Sequence, residues 1–219
     1  MFTYSLQGLE LTAADAGPIE VEENETTARS AVYQFFGGWF ATAPADLFDQ
    51  AVEGKWVAGL TEAASLLPFG FDIGSVEVPA GADAASFAAD HERALGGTAL
   101  LGGGGRADRE AEIAAVRREY EYFGLAASDD APRPADHLAT ELDFLQYLCF
   151  REAATPSPRL ATSFRRAQRD FLDSHVLDWV PDLVASAGPG AGPLVGWTLD
   201  RLGAFVAADR AYVAERLGG

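Results

Sequence analysis

Few side chains in this chain of 219 residues can hold a metal, move a proton or attack an electrophile: His91, His137, His175, Cys149 and a surplus of carboxylates. His137 and Glu141 stand at i and i+4, which puts them on one face if the segment is helical. Asp136 or His175 would supply a third ligand to a metal held there. No H-E-x-x-H occurs, and a catalytic zinc needs three convergent protein ligands. A histidine hydrogen-bonded among acids is the simpler expectation, and no metal is assigned. The four glycines Gly102, Gly103, Gly104 and Gly105 suggest a phosphate loop, but Arg106 and Ala107 follow where Lys-Ser/Thr is required. That run reads as a flexible connection instead. No G-x-S-x-G elbow is present. One cysteine excludes an intrachain disulfide and a cysteine-based zinc site. No catalytic residue and no cofactor is therefore assigned.

The elements that position these residues are helices punctuated by Gly and Pro. Val32, Phe35, Phe36, Trp39 and Phe40 fall at i, i+3, i+4, i+7 and i+8, a buried stripe on a helix over 27–41. Pro44 and Gly54 bracket a second helix in the N-terminal Pro, C-terminal Gly sense. A third spans 55–67 and stops at Pro68, before a Gly- and Pro-bearing loop over 69–81. Further helices are expected over 83–95 and 108–123, the latter with Gly124 at its C-terminal end. Pro134 is expected in the first turn of a helix reaching 154, with Leu138, Leu142, Leu145 and Cys149 as its core stripe. Helices over 159–175 and 177–187 should separate near 173–175. A Gly/Pro linker over 188–193 then precedes a closing helix over 194–217. Residues 1–27 read as a loosely ordered acidic arm, and 28–219 as one all-α domain of about eight to nine helices. No alternating strand and no internal repeat is expected.

Hydrophobic residues make up 48% and charged residues 22%, a globular balance. No apolar run approaches the roughly 20 residues of a membrane span. The first residues carry neither a positive region nor an apolar one, so no signal peptide is expected and the chain is assigned to the cytoplasm. The formal charge is -17, and Lys55 is the single lysine among 16 cations. That balance opposes nucleic-acid binding. In low salt it strains the compact state through self-repulsion. Molar salt shortens the Debye length to about 3 Å and relieves that strain. A salt-rich cell interior is the expectation.

The linear pattern of the second half is more specific. Tyr120-Glu121-Tyr122-Phe123-Gly124-Leu125 is followed by Arg133-Pro134-Ala135-Asp136-His137, then Glu141-Leu142-Asp143-Phe144, then Phe171-Leu172-Asp173-Ser174-His175 with Trp179 and Pro181 behind. This order resembles the TorD/DmsD/NarJ family of maturation chaperones for molybdopterin enzymes. The resemblance is firm over 109–183, weaker over the first helix (Arg29, Tyr33, Phe36, Phe40) and absent over 1–27. Residues 96–106 replace an aromatic, cysteine- or proline-containing stretch of many relatives. The Arg-Pro-Ala-Asp-His run looks most like the branch serving nitrate, selenate, perchlorate and dimethyl-sulfide enzymes.

The resemblance implies an all-α, TorD-like fold and a binding function without bond breaking. The client would be the catalytic subunit of a molybdopterin oxidoreductase, held through its twin-arginine leader, its apo form, or both, while cofactor is inserted. It also implies a groove lined by Pro134, Asp136, His137, Leu138, Glu141 and His175. Carboxylates suit a leader's arginines, which they pair in bidentate fashion. Asp136 and Glu141 are expected to meet those arginines, with His137 orienting them, since nothing about a bundle core demands an Asp-His pair at a helix start. A homodimer formed by domain swapping about the Gly-rich connections is a further expectation. Two other readings stand beside this one: a helical adaptor for some other protein, and a small metal-dependent hydrolase using His137, Glu141 and His175.

Overall fold

A computed structural model of the chain describes residues 9–11, 24–76, 78, 80–102, 108–127 and 132–218. Those residues are organised almost entirely as helices around one core. A two-residue strand, β1 (Glu10–Leu11), comes first, ahead of α1 (Glu25–Ala41). α1 starts two residues earlier than its apolar stripe suggests, because Asn24 caps it. The Asn24 side chain accepts from the amides of Thr26 (2.8 Å) and Thr27 (3.1 Å), and Thr27 Oγ1 accepts from the Asn24 amide (2.8 Å). α2 (Pro44–Val52) and α3 (Lys55–Ala64) follow, divided by Gly54 in the left-handed region at φ 68°. α3 closes three residues short of the expected 67, in a turn.

The loop before the next helix is pinned to the far end of the chain. Trp197 Nε1 donates to the Ile73 carbonyl (3.0 Å), Arg201 Nη1 donates to the Asp72 carbonyl (2.6 Å), and Phe69 and Phe71 stack near Phe205. α4 (Ala84–Leu95) is capped by Asp83, and α5 (Arg109–Tyr122) leads into a second short strand, β2 (Leu125–Ala126). β2 pairs antiparallel with β1, Glu10 opposite Ala126 and Leu11 opposite Leu125, and Leu9 is buried. Residues 9–11 of the expected loose arm are thus tied to the body, and 24–27 belong to the cap and first turn of α1. Two-residue strands are too short to show alternation, which is why periodicity missed them.

α6 (Leu138–Ala154) is the central helix, packed mainly against α1 and against α7 (Pro158–Phe171). Every residue from Leu138 to Phe150 is buried, so the helix is enclosed all round and not along one stripe. α1 approaches it closely: a Cβ on Gly37 would lie 3.3 Å from Asp143 Oδ1 and 3.6 Å from the Ala139 carbonyl. The expected break near 173–175 is instead a π-helical stretch (Leu172–Val176) that continues directly into α8 (Leu177–Ala187), which contains Pro181. The expected linker is a short 3₁₀ turn (Gly188–Ala191) with Ala191 buried, and α9 (Pro193–Arg216) closes the fold. The described residues thus form nine α-helices. None is long and apolar enough to cross a membrane.

A buried ionic cluster ties four of these helices together. Arg29 of α1 is fully buried and pairs with Asp209 of α9 through Nε, and through Nη2 at 3.0 Å. It also donates to Gln168 of α7 (2.5 Å) and reaches Glu152 of α6 (3.4 Å). Tyr33 donates to Asp209 (2.7 Å), and Arg165 and Gln168 both donate to Glu152 (2.7 and 2.8 Å). Burial pulls the Arg29 pKa down, but the carboxylates around it, Asp209 foremost, hold it above the ordinary arginine value.

Candidate functional site

The start of α6 is built by a short antiparallel contact. Leu101 bridges His137, the Gly102 amide donates to the Asp136 carbonyl (2.8 Å), and the Leu138 amide donates to the Leu100 carbonyl (2.8 Å). The Gly-rich connection, read as the most flexible point of the chain, is therefore specifically held as far as Gly102. Residues 103–107 lie outside the described residues. A Cβ on Gly102 would fall 2.8 Å from Glu141 Oε1 and 3.0 Å from Trp179 Nε1, so a side chain there would push the Glu141 carboxylate aside.

Pro134 does not sit in the first helical turn. It lies in a turn before the helix, where its carbonyl accepts from the His137 amide (3.1 Å) and from Thr140 Oγ1 (3.2 Å). The helix begins at Leu138 because His137 is its N-cap, with Nδ1 accepting from the Ala139 amide (3.1 Å). Accepting there requires a neutral ring. Burial, with Arg133 nearby, lowers the His137 pKa to about 4.

Asp136, just before the cap, is 0% exposed, and its carboxylate takes the guanidinium of Arg109 in bidentate fashion, Nη2 to Oδ1 at 2.9 Å and Nε to Oδ2 at 3.1 Å. The Arg109 side chain is 38% exposed, so the pair reaches from the interior to solvent. Glu141, one turn into α6, is also buried, and its Oε2 accepts from Trp179 Nε1 of α8 (3.3 Å). The Asp-His pair thus has structural uses after all, a correction to the expectation that a bundle would not need one: one residue anchors α5 and the other caps α6.

His175 joins from the π-helical stretch. Its Nδ1 lies 2.8 Å from Glu112 Oε1, and its ring stacks 4.7 Å from that of Phe171. Arg109 and Glu112 are one turn apart on α5, so the first turn of that helix contacts both Asp136 and His175. Of the six expected site residues, Pro134, Asp136, His137, Leu138 and Glu141 form one continuous feature, and His175 is connected to it through α5. Leu138 is buried beneath, whereas Pro134 is exposed at the surface. His137 and His175 are engaged with different partners, and no group of three or more His, Cys, Asp or Glu that could hold a metal occurs among the described residues.

Arg109 and Glu112 escaped the sequence reading, Gly102 was read only as part of a flexible connection, and Trp179 only as part of the linear pattern. Only the i, i+3 spacing of Arg109 and Glu112 gave a signal, and such spacing is common on exposed helices. π-helical turns recur at functional sites.

All of these residues fall in one stretch that matches known proteins. Residues 102–185 match the family described as nitrate reductase delta subunit. Over 106 aligned residues the chain is 41% identical to the selenate reductase assembly chaperone protein of Thauera selenatis and 38% identical to the chlorate reductase assembly chaperone protein of Ideonella dechloratans, covering 43% of this chain and 55% of either relative. The chaperone protein TorD of Vibrio cholerae is 34% identical over 58 residues, about a quarter of each chain. The chain spans about half the length of the first two relatives. The matched stretch holds the Arg109–Asp136 pair, Glu141, His175 and Trp179, whereas the Arg29 cluster draws three of its members, Arg29, Tyr33 and Asp209, from outside it.

Proposed function

We propose that this chain is an assembly chaperone for a molybdopterin-containing oxidoreductase. It would act in the cytoplasm by holding the client's twin-arginine leader, its apo form, or both, while cofactor is inserted. The observation that carries this reading is coincidence in sequence. Arg109, Glu112, Asp136, Glu141, His175 and Trp179 all lie in the 102–185 stretch that matches the family described as nitrate reductase delta subunit, and the chain also resembles relatives named as assembly chaperones of selenate and chlorate reductases.

The chemistry is non-covalent. Asp136 already presents the bidentate geometry that a guanidinium needs, and Arg109 occupies it. A leader arginine binds by taking the place of Arg109, whose partly exposed side chain swings outward into water. Glu141, one turn on and backed by Trp179, is the second carboxylate of the groove. His137 acts by fixing the helix start, and Pro134, Leu138 and His175 complete the groove wall. In concentrated salt the ionic contact is screened, so apolar contacts along the leader carry much of the affinity. The proposal extends to homodimers formed by exchange about the connection near residue 102.

Calorimetric titration in molar salt tests this. A twin-arginine leader peptide of a molybdopterin enzyme from the same cell should bind saturably, and Asp136→Ala should weaken it at least tenfold while circular dichroism stays native. Equal binding by the folded Asp136→Ala protein would remove Asp136 from the groove. No binding by any such leader would move the client contact to the mature subunit.

A further inference from the structure

The surface where α5 ends and α7 begins departs from the rest of the chain in charge and in exposure. The chain has 33 acidic residues against 16 basic ones. α7 reverses that balance, with Arg159, Arg165, Arg166 and Arg169 against Asp170. Glu152 holds Arg165, and Asp170 holds Arg169. Arg159 and Arg166 are exposed, stand seven residues apart on the outward face, and form no ion pair among the described residues.

An apolar line runs beside them. Leu160 is 52% exposed and one turn before Phe164. The Phe164 ring lies 5.8 Å from Phe123, which lies 5.0 Å from Tyr122, and Tyr122 is 82% exposed. The Arg151 guanidinium sits 5.6 Å from the Phe164 ring and 5.5 Å from Tyr147, to whose hydroxyl it also donates (2.7 Å). That stack stiffens the platform. At the end of α5, Glu119 and Glu121 offset Arg117 and Arg118, so this helix contributes aromatic surface more than charge.

We propose that this face docks an acidic amphipathic helix of a partner protein, with its carboxylates on Arg159 and Arg166 and an aliphatic side chain against Leu160 and Tyr122. Arginine and tyrosine are the side chains most often found as interface anchors. Two exposed guanidiniums on one helix face, without an ion pair among the described residues, offer a place for carboxylates from outside. Nucleic acid is a poor fit, because its binding draws on many phosphate contacts and the remaining surface repels it. At physiological ionic strength screening confines the attraction to about 8 Å, so the local arginines and not the net charge decide what docks. The face is separate from the Asp136 neighbourhood, and its test is independent of the leader site.

The probe is a fluorescein-labelled 18-residue peptide with glutamates on one helical face and leucines on the other, titrated by anisotropy with the full chain. Saturable binding is expected. Arg159→Glu with Arg166→Glu should weaken it at least tenfold, Leu160→Ser several-fold, and Asp136→Ala not at all. Replacing the peptide glutamates by glutamine should abolish it. The proposal is overturned by absence of binding, by equal binding to the folded double variant, or by equal binding of a scrambled peptide of the same composition. Sedimentation showing self-association that the double variant removes would also overturn it, since the occupant would then be a second copy.

Discussion

Two of the places where an arginine meets a buried carboxylate, Arg29 with Asp209 and Arg109 with Asp136, differ in which partner water can reach. In the Arg29 cluster both Arg29 and Asp209 are fully buried, and donors from α1 and α7 converge on the carboxylates of Asp209 and Glu152. In the Asp136 pair the carboxylate is equally buried, but Arg109 reaches solvent. The first arrangement has no low-cost way to open, because removing either partner strands a charge in the interior. In the second, the proposed leader arginine would replace Arg109 from the solvent side, where that cation already reaches water. A lock and a socket are thus made from the same two chemical groups, and exposure of the cation separates them.

The largest expected effect tests the lock. Asp209→Ala leaves Arg29 buried without its main partner and should destabilise the fold by about 3–5 kcal/mol, read by denaturant unfolding in molar salt. A loss below about 1 kcal/mol would mean that the cluster opens to water and that the contrast with Asp136 fails.

Next comes the acid limb. His137 has its folded pKa lowered to about 4, against about 6.5 unfolded. A depressed histidine disfavours the proton in the folded state. Its contribution is therefore whole above about pH 6.5 and is lost as pH falls toward 4, at up to about 1.4 kcal/mol per pH unit. Partial exposure reduces the total to roughly 2–3 kcal/mol. His137→Asn keeps a capping acceptor without the titration, so stability measured from pH 7 to 4 should fall less steeply in that variant. His91, also lowered by burial, leaves a residual slope. Identical slopes would show that the ring is not buried as described.

The smallest effect on stability should be the most informative about the socket. Arg109→Gln removes the cation but leaves a hydrogen-bond donor beside the buried Asp136 carboxylate, and should cost about 1–2 kcal/mol, seen as a modest drop in the unfolding midpoint. The same change should tighten leader binding several-fold, because the internal competitor is gone. Weaker binding would make Arg109 part of the groove and not its occupant.

Where helices lie was largely legible in the chain, because it depends on local chemistry. The apolar stripe of α1, the Pro44 and Gly54 bracket and the Asp83 start all act within a turn or two of themselves. Boundaries shifted where a cap outweighed the stripe, as at Asn24 and His137. The break expected at 173–175 was wrong in kind, since π-turns carry a helix through residues that spacing alone reads as a gap. Trp179 packs against the core, but its bond to Glu141 was not legible, because nothing in the sequence places a carboxylate beside its N–H.

The sequence by itself determined the all-α class, the order of the helices and the stretch that carries the family pattern, because these follow from side-chain periodicity, turn chemistry and residue order. It also marked Asp136, His137, Glu141 and His175 as unusual. Only the tertiary structure decided what they do there. The partners of Asp136 and His175 come from α5, that of Glu141 comes from α8, and Gly102 closes over the start of α6. A contact between residues 27, 38 or 63 positions apart leaves no trace in local spacing. The same holds for the cation of each buried pair: Arg29 and Arg109 are alike in sequence, and only the packing of the helices around them makes one a lock and the other an occupant of a socket.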